Sequence, residues 1–485
     1  MFSIKRILLV LVITMLVMPV GKAGAFPGLQ GDGPTTIFLP VVSKGPILPE
    51  APQASASYFT IPTDPNQPYP IGEFPVFWFG EVRGVENYTD VRIAYNSSEL
   101  YLRLQVFDRG CFYDQNPPLD EPTRWDGAAV FLNLSGNIGN TPSLNSYQFL
   151  VQFDRDMNWN PPWEITKFSY QGNGYSWVEA NLPFSMNSSN QYISDQKTNC
   201  RGWIASLRIP FTSMGLSSAP SYGTIWGMAI ANYDRDDDAG TYITPKVWPK
   251  NVNVNSPVTW GKLSFGLPPT TPTQVGNITL IRQGMNNAFV PDASVGGYAV
   301  CGGDPENYWT LWGDTNEGFY NPERSNYNIQ NQANISDWPC FSKVYISFPL
   351  DQVPLGKQIL SATMTLHVFG NAGSAGNEPA SLIHVYTVDE SWTDTTITWN
   401  NAPYIDRYIS NTWVPSPPDE DYFPGTPHNW DVTSAVIEAY QKGIPVNLVL
   451  YSSDNFFHSG KYFVSSNTGD WNAEGRPILK IVWSD

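Results

Sequence analysis

The stretch Val91-Arg92-Ile93-Ala94-Tyr95-Asn96-Ser97-Ser98-Glu99-Leu100-Tyr101-Leu102-Arg103-Leu104-Gln105-Val106-Phe107-Asp108 decides the fold class. Leu100, Leu102, Leu104 and Val106 fall on one side of an extended chain, and Tyr101, Arg103, Gln105 and Phe107 on the other. A period of two over eight residues is the pattern of an antiparallel strand with one face in a core and one in water. Asn96-Ser97-Ser98 supplies the turn that returns the chain from Val91–Tyr95. The same alternation recurs at Trp203, Ala205, Leu207 and Ile209, stopped by Pro210. Further strands are read at Ala128–Leu134, Gln148–Phe153 and Thr224–Ala231. Towards the C-terminus come Lys343–Phe348, Thr363–Val368, Ile383–Val388, Val446–Tyr451 and Ile478–Trp483. One helix is expected over Val432–Gln441, with Asp431 before it to cap it and Gly443 to end it. Many short strands with few helical patterns predict an all-β protein built as β-sandwiches of jelly-roll type.

The chain opens with Lys5 and Arg6, an apolar run from Ile7 to Val20 and the small residues Ala23-Gly24-Ala25. Residues 1–25 therefore read as a secretory signal peptide, and the protein as secreted or held at the cell surface. No later segment is apolar enough to span a bilayer. Residues 26–56 form a linker of low complexity. A second linker, rich in Pro and Thr, covers residues 268–275 and separates a domain at 57–267 from one at 276–485. The four cysteines fall two to a domain, Cys111 with Cys200 and Cys301 with Cys340. Three pairings are open to them, and pairing inside each domain is the simplest in an exported chain.

Net charge is −17, from 27 basic and 44 acidic residues. Nucleic acid is excluded as a partner, because binding it rests on neutralising phosphates. Residues 276–485 carry 9 basic and 22 acidic side chains, against 14 and 20 in residues 57–267. The second domain thus repels a polyanion unless calcium or a local basic patch intervenes.

Two families come into view. Ser391-Trp392-Thr393-Asp394-Thr395-Thr396-Ile397-Thr398-Trp399-Asn400-Asn401-Ala402-Pro403 lies between Ile359–Leu366 upstream and Asp431-Val432-Thr433, Phe463–Ser466 and Arg476–Ile481 downstream. This ordered set resembles the DNRLRE-type domain, a secreted β-sandwich module related to the family 96 carbohydrate-binding modules. In the first domain the motifs are Glu99–Leu102 leading to Asp108, Trp125-Asp126-Gly127-Ala128-Ala129-Val130-Phe131, Trp203–Phe211, Trp226-Gly227 with Asn232–Arg235, and Trp260–Phe265. They resemble the family 9 carbohydrate-binding modules. Ala128 and Ala129 stand where such families often carry a second acidic residue, which puts that residue's role in doubt here. The resemblances imply non-catalytic sugar-binding modules, the first commonly with structural calcium.

Two loops carry oxygen ligands at alternate positions, Asp154, Asp156 and Asn158 in one and Asp234, Asp236 and Asp238 in the other. Such carboxylates can converge on calcium, which takes six to eight oxygens. Neither loop has the glycine and glutamate of an EF-hand. Eighteen tryptophans, nine per domain, supply rings for stacking on sugar. Trp125, Trp159 and Trp163 lie in polar loops and are the candidate contacts, with Arg235 as a hydrogen-bond donor. Trp392 and Trp399 are assigned to packing. The four histidines show no metal-ligand spacing, and no nucleophile elbow, zinc-protease motif or phosphate loop occurs. The expected function is non-catalytic binding of a polysaccharide or cell-wall glycan. The alternatives are a structural or adhesive surface protein, or an accessory to a polysaccharide hydrolase or such an enzyme itself.

Overall fold

The hairpin forms in the computed structural model as Glu86–Tyr95 and Glu99–Phe107, antiparallel, with Tyr95 opposite Leu100 and Tyr88 opposite Phe107. Its turn is held by Asn96, whose Oδ1 accepts the backbone N–H of Ser98 (2.8 Å) and of Glu99 (3.0 Å). The structure describes residues 50–485 except 64–67, 113–121, 154–166, 191–201, 238–240, 297–307, 320, 332–340, 374–375, 419–422, 455 and 457. The signal-like segment, most of the first linker, Asp154, Asp156, Asn158, Trp159, Trp163, Asp238, Cys200, Cys301 and Cys340 lie outside the described residues.

In the first lobe one sheet runs Val76–Arg83, Glu86–Tyr95, Glu99–Phe107, Trp203–Pro210, Ser185–Asn190. The other runs Gln53–Tyr58, Gly261–Phe265, Ile225–Tyr233, Gly127–Asn133, Ser146–Gln152, Lys167–Gly172, Trp177–Glu179. Leu100, Leu102, Leu104 and Val106 meet Val130, Phe149, Met228 and Ile230 in the core between them. In the second lobe Asp292–Gly296, Ser342–Phe348, Val446–Ser452, Ser381–Thr387 and Arg407–Val414 make one sheet. Its partner is built on the long strand Gln358–Asn371, flanked by Thr426–Asp431 on one side and by Ile478–Ser484 followed by Lys461–Val464 on the other. The helix is Thr433–Lys442; Asp431 Oδ1 takes the Thr433 N–H (3.0 Å) and Gly443, at φ 67°, closes it. The all-β sandwich class read from the alternation is the one observed.

The half-exposed strand expected at Leu100–Phe107 is buried on both faces, and this corrects the sequence reading. Its polar side is covered by the second lobe. Asp90, buried, accepts Tyr88 Oη (2.5 Å), Asn331 Nδ2 (2.9 Å) and Tyr451 Oη (3.1 Å). Arg92 donates to the Ser453 carbonyl (3.1 Å) and to Asn331 Oδ1 (2.9 Å). The ammonium of Lys343 donates to Tyr88 Oη (2.8 Å) inside four rings, 3.6 Å from the centre of Trp399 and 3.9 Å from that of Trp78, with Tyr88 and Tyr451 beyond. Burial pushes this lysine well below its ordinary value, while Asp90 pulls the other way. Polar groups this deep are tolerated because each is hydrogen-bonded or enclosed by rings.

The motif Ser391–Pro403 also lies at this junction. Asn400 Oδ1 accepts the Val82 N–H (2.7 Å) and its Nδ2 donates to the Val82 carbonyl (3.0 Å). Tyr404 and Tyr386 take the N–H groups of Gly80 and Val76. The second lobe thereby satisfies an edge strand of the first. Trp399 is buried among Tyr88, Trp312 and Tyr451, and Trp392 packs on Tyr345, both as packing residues. The Pro/Thr-rich segment is itself bonded to the second lobe, through Thr271 N–H to Asp431 and Gln274 N–H to Ser361 Oγ (3.3 Å).

Candidate metal centre and aromatic face

Antiparallel order brings one end of several strands together. Asp108 follows the end of Glu99–Phe107, Asp126 precedes Gly127–Asn133, and Asp234 follows Ile225–Tyr233. The first belongs to one sheet and the other two to its partner, so the carboxylates meet at the open end of the sandwich. Oxygens of Asp108, Asp234 and Asp236 lie within 4.8 Å of one another, and Asp108 also groups with Asp126. Asp126 accepts the Phe112 N–H (2.7 Å) and the Arg235 N–H (2.8 Å), and Asp108 accepts the Gly110 N–H (2.9 Å). Asp234 is 1 % exposed; the Asn87 amide stands beside it, but neither of its oxygens meets a donor in good hydrogen-bond geometry, nor does Oδ2 of Asp236. A side chain at Gly110 would collide with the Asp236 carboxylate.

Burial first, then Asp234 beside them, pushes Asp108 and Asp126 well above the usual carboxylate range. Burial and then Asp236 raise Asp234 to about 7. Isolated buried charge is costly, and carboxylates in this state require a proton or a cation. The unpartnered oxygens of Asp234 and Asp236, converging with an oxygen of Asp108, fit a hard divalent cation such as calcium. Cys111 also groups with Asp108 and Asp126, but it is disulfide-bonded and offers no thiolate.

Of the residues singled out from the sequence, Asp234 and Asp236 are in this cluster, and Asp108 and Asp126 were missed as ligands. The available signal was positional: an acidic residue at each strand end that antiparallel pairing brings to one edge. Arg235 is 5 % exposed; its guanidinium donates to the carbonyls of Asp234 (2.6 Å) and Thr123 (2.7 Å) and sits 5.1 Å from the Tyr242 ring. Trp125 is 7 % exposed, in the wall beside Asp126.

The outer face of the same sheet begins at this cluster. Ala129, Ala229 and Ala231 are buried there in a layer with Phe131, Leu150 and Trp260, with Ala129 opposite Ala231 and Phe131 opposite Ala229. Phe168, Tyr170, Trp177 and Tyr233, all partly buried, stand around it. Trp177 lies parallel to Trp260 (centroids 6.3 Å apart, planes at 4°) and donates to Asn255 Oδ1 (3.0 Å). The phenol of Tyr233 is pushed to about 12 by burial and then by Tyr242 and Tyr170.

Residues 321–472 match the model of carbohydrate-binding module family 96. No curated protein matches the chain. A family 9 carbohydrate-binding module from Caldicellulosiruptor kristjanssonii, solved with glucose, is similar at 14% identity over 44% of this chain and 97% of that one, with a TM-score of 0.32. The same organism's family 9 module with cellotriose gives 14% identity, 45% and 100% coverage and a TM-score of 0.33. The family 96 match falls within the segment whose motifs resemble the related DNRLRE-type domain.

Proposed function

We propose that this is a secreted, non-catalytic carbohydrate-binding protein whose first lobe takes a polysaccharide on the aromatic outer face, with calcium in the aspartate cluster at its end. The match of residues 321–472 to carbohydrate-binding module family 96 carries the reading. Sugars offer apolar C–H faces to rings and hydroxyls to polar groups, and the partly buried rings of Tyr170, Trp177 and Tyr233 on this face suit that chemistry. Trp159 and Trp163 remain proposed contacts. Trp125 and Arg235, both buried, would act by shaping the cluster end of the face. Export by the N-terminal segment, and bridges Cys111–Cys200 and Cys301–Cys340, belong to the same proposal.

The test is binding of the full chain to a broad glycan panel with calcium, alongside Trp177→Ala and Tyr170→Ala. Each ring is worth ~1–3 kcal/mol if it stacks on sugar, by analogy with bases on aromatic platforms. At least one variant should therefore bind about tenfold more weakly, with no reducing sugar released from any bound glycan. Failure to bind any member of the panel would refute the reading.

A further inference from the structure

The second lobe carries a separate strip of aromatic rings far along the chain from the first-lobe face. Trp471 is 69 % exposed and Phe423 is 47 % exposed, and their rings meet edge to face at 4.7 Å and 80°. Phe369 stacks against Phe423 at 6.5 Å and 24°, and Tyr462 follows Phe369 at 6.5 Å. Four rings thus form one row. Elsewhere in this lobe Trp312, Trp399 and Trp430 are buried.

The row is built by the fold. Phe369 is the extra residue of a bulge, since Val368 pairs Phe463 while Gly370 pairs Tyr462. A bulge re-aims a side chain that regular pairing would align with its neighbours. Trp471 rides on the short 3-10 segment Asp470–Gly475. Arg476 pins that segment, donating to the Thr468 carbonyl (2.8 and 2.6 Å) and to Asp470 Oδ1 (2.8 Å). Gly475 lets the segment press on the loop of Phe423; a Cβ there would stand 2.6 Å from the Pro424 carbonyl oxygen. An exposed ring held by its supports loses little freedom on binding, which favours stacking.

We propose that the row Tyr462–Phe369–Phe423–Trp471 is a second glycan-binding platform, independent of the first-lobe face and selective for a neutral polysaccharide; this rests on the carbohydrate-binding reading above. All four residues fall within the segment that matches family 96. Charge selects the occupant. Arg476, which pins the Trp471 segment, is itself paired with Asp470. The lobe around them holds 22 acidic against 9 basic side chains, so an anionic polymer meets net repulsion. Exposed rings in an acidic lobe suit the C–H faces of uncharged sugars.

The experiment uses the full chain in native gels cast with hydroxyethyl cellulose, xyloglucan, galactomannan or alginate. At least one neutral polymer should retard the parent. Trp471→Ala and Phe423→Ala should each weaken retardation about tenfold, with the melting midpoint unchanged, and Trp471→Tyr should restore most of it. Trp177→Ala in the first lobe should leave a residual retardation that Trp471→Ala then removes. Parent-like retardation of both second-lobe variants would overturn the platform while sparing the first-lobe reading. Retardation by no polymer would overturn both. Stronger retardation by alginate, or self-association of the parent that Trp471→Ala abolishes, would overturn the neutral-glycan assignment.

Discussion

Replacing Asp234 by Asn should change the stability of this protein in opposite directions with and without calcium. Holding the Asp234 carboxyl at about 7 instead of its ordinary 3.8 makes ionising it in the fold cost about 4 kcal/mol. The folded state keeps a proton that the unfolded chain gives up. Stability of the metal-free protein therefore falls as pH rises from about 4 to about 7, and the loss is complete above that. Asp108 and Asp126 shift in the same direction and add to it. A divalent cation bound only by the folded state offsets the loss, by about 2.7 kcal/mol at a hundred times its dissociation constant. Asparagine keeps the shape and removes the charge. At pH 8 in excess chelator the Asp234→Asn chain should melt above the parent. In millimolar calcium the order should reverse, because the variant lacks a ligand. Comparing variant with parent removes the background from other groups. Asp406, Asp292 and Glu317 are raised in the same sense, whereas His384, depressed to about 3 by burial, gains stability as pH rises through its unfolded value. Differential scanning calorimetry at pH 5 and pH 8 reads all four states. A variant that melts below the parent in chelator at pH 8 would refute the reasoning, and so would equal stabilisation of both chains by calcium.

Two further outcomes are expected. Lys343→Ala opens the ring cage and removes the hydrogen bond to Tyr88 Oη, which should cost ~2–5 kcal/mol; Lys343→Met should recover most of that, and the parent should unfold in one calorimetric transition because one apolar cluster crosses both lobes. Two resolved transitions in the parent would count against the coupling. Non-reducing peptide mapping should find Cys111–Cys200 and Cys301–Cys340, each worth ~2–5 kcal/mol, and a free thiol or a bridge between lobes would count against that pairing.

The residues by themselves determined the strands and the sandwich class. Leu100, Leu102, Leu104 and Val106 can only bury together if the chain is extended, and Asn96 and Gly443 end elements through local backbone chemistry that needs no distant partner. Asp234 and Asp236 were legible as a pair because alternate carboxylates in one loop are local too. Tertiary structure decided the rest. Asp108 and Asp126 join Asp234 only when strands distant in sequence pair at one edge, and the exposed row from Tyr462 to Trp471 needs a bulge and two loops to assemble. The polar side of Glu99–Phe107 reads as solvent-facing, because alternation tells an inner face from an outer one but not what lies over the outer face. Here it is a second lobe, held by Asn331, Lys343 and Tyr451, whose charges and rings complement Tyr88, Asp90 and Arg92 across more than two hundred residues of chain.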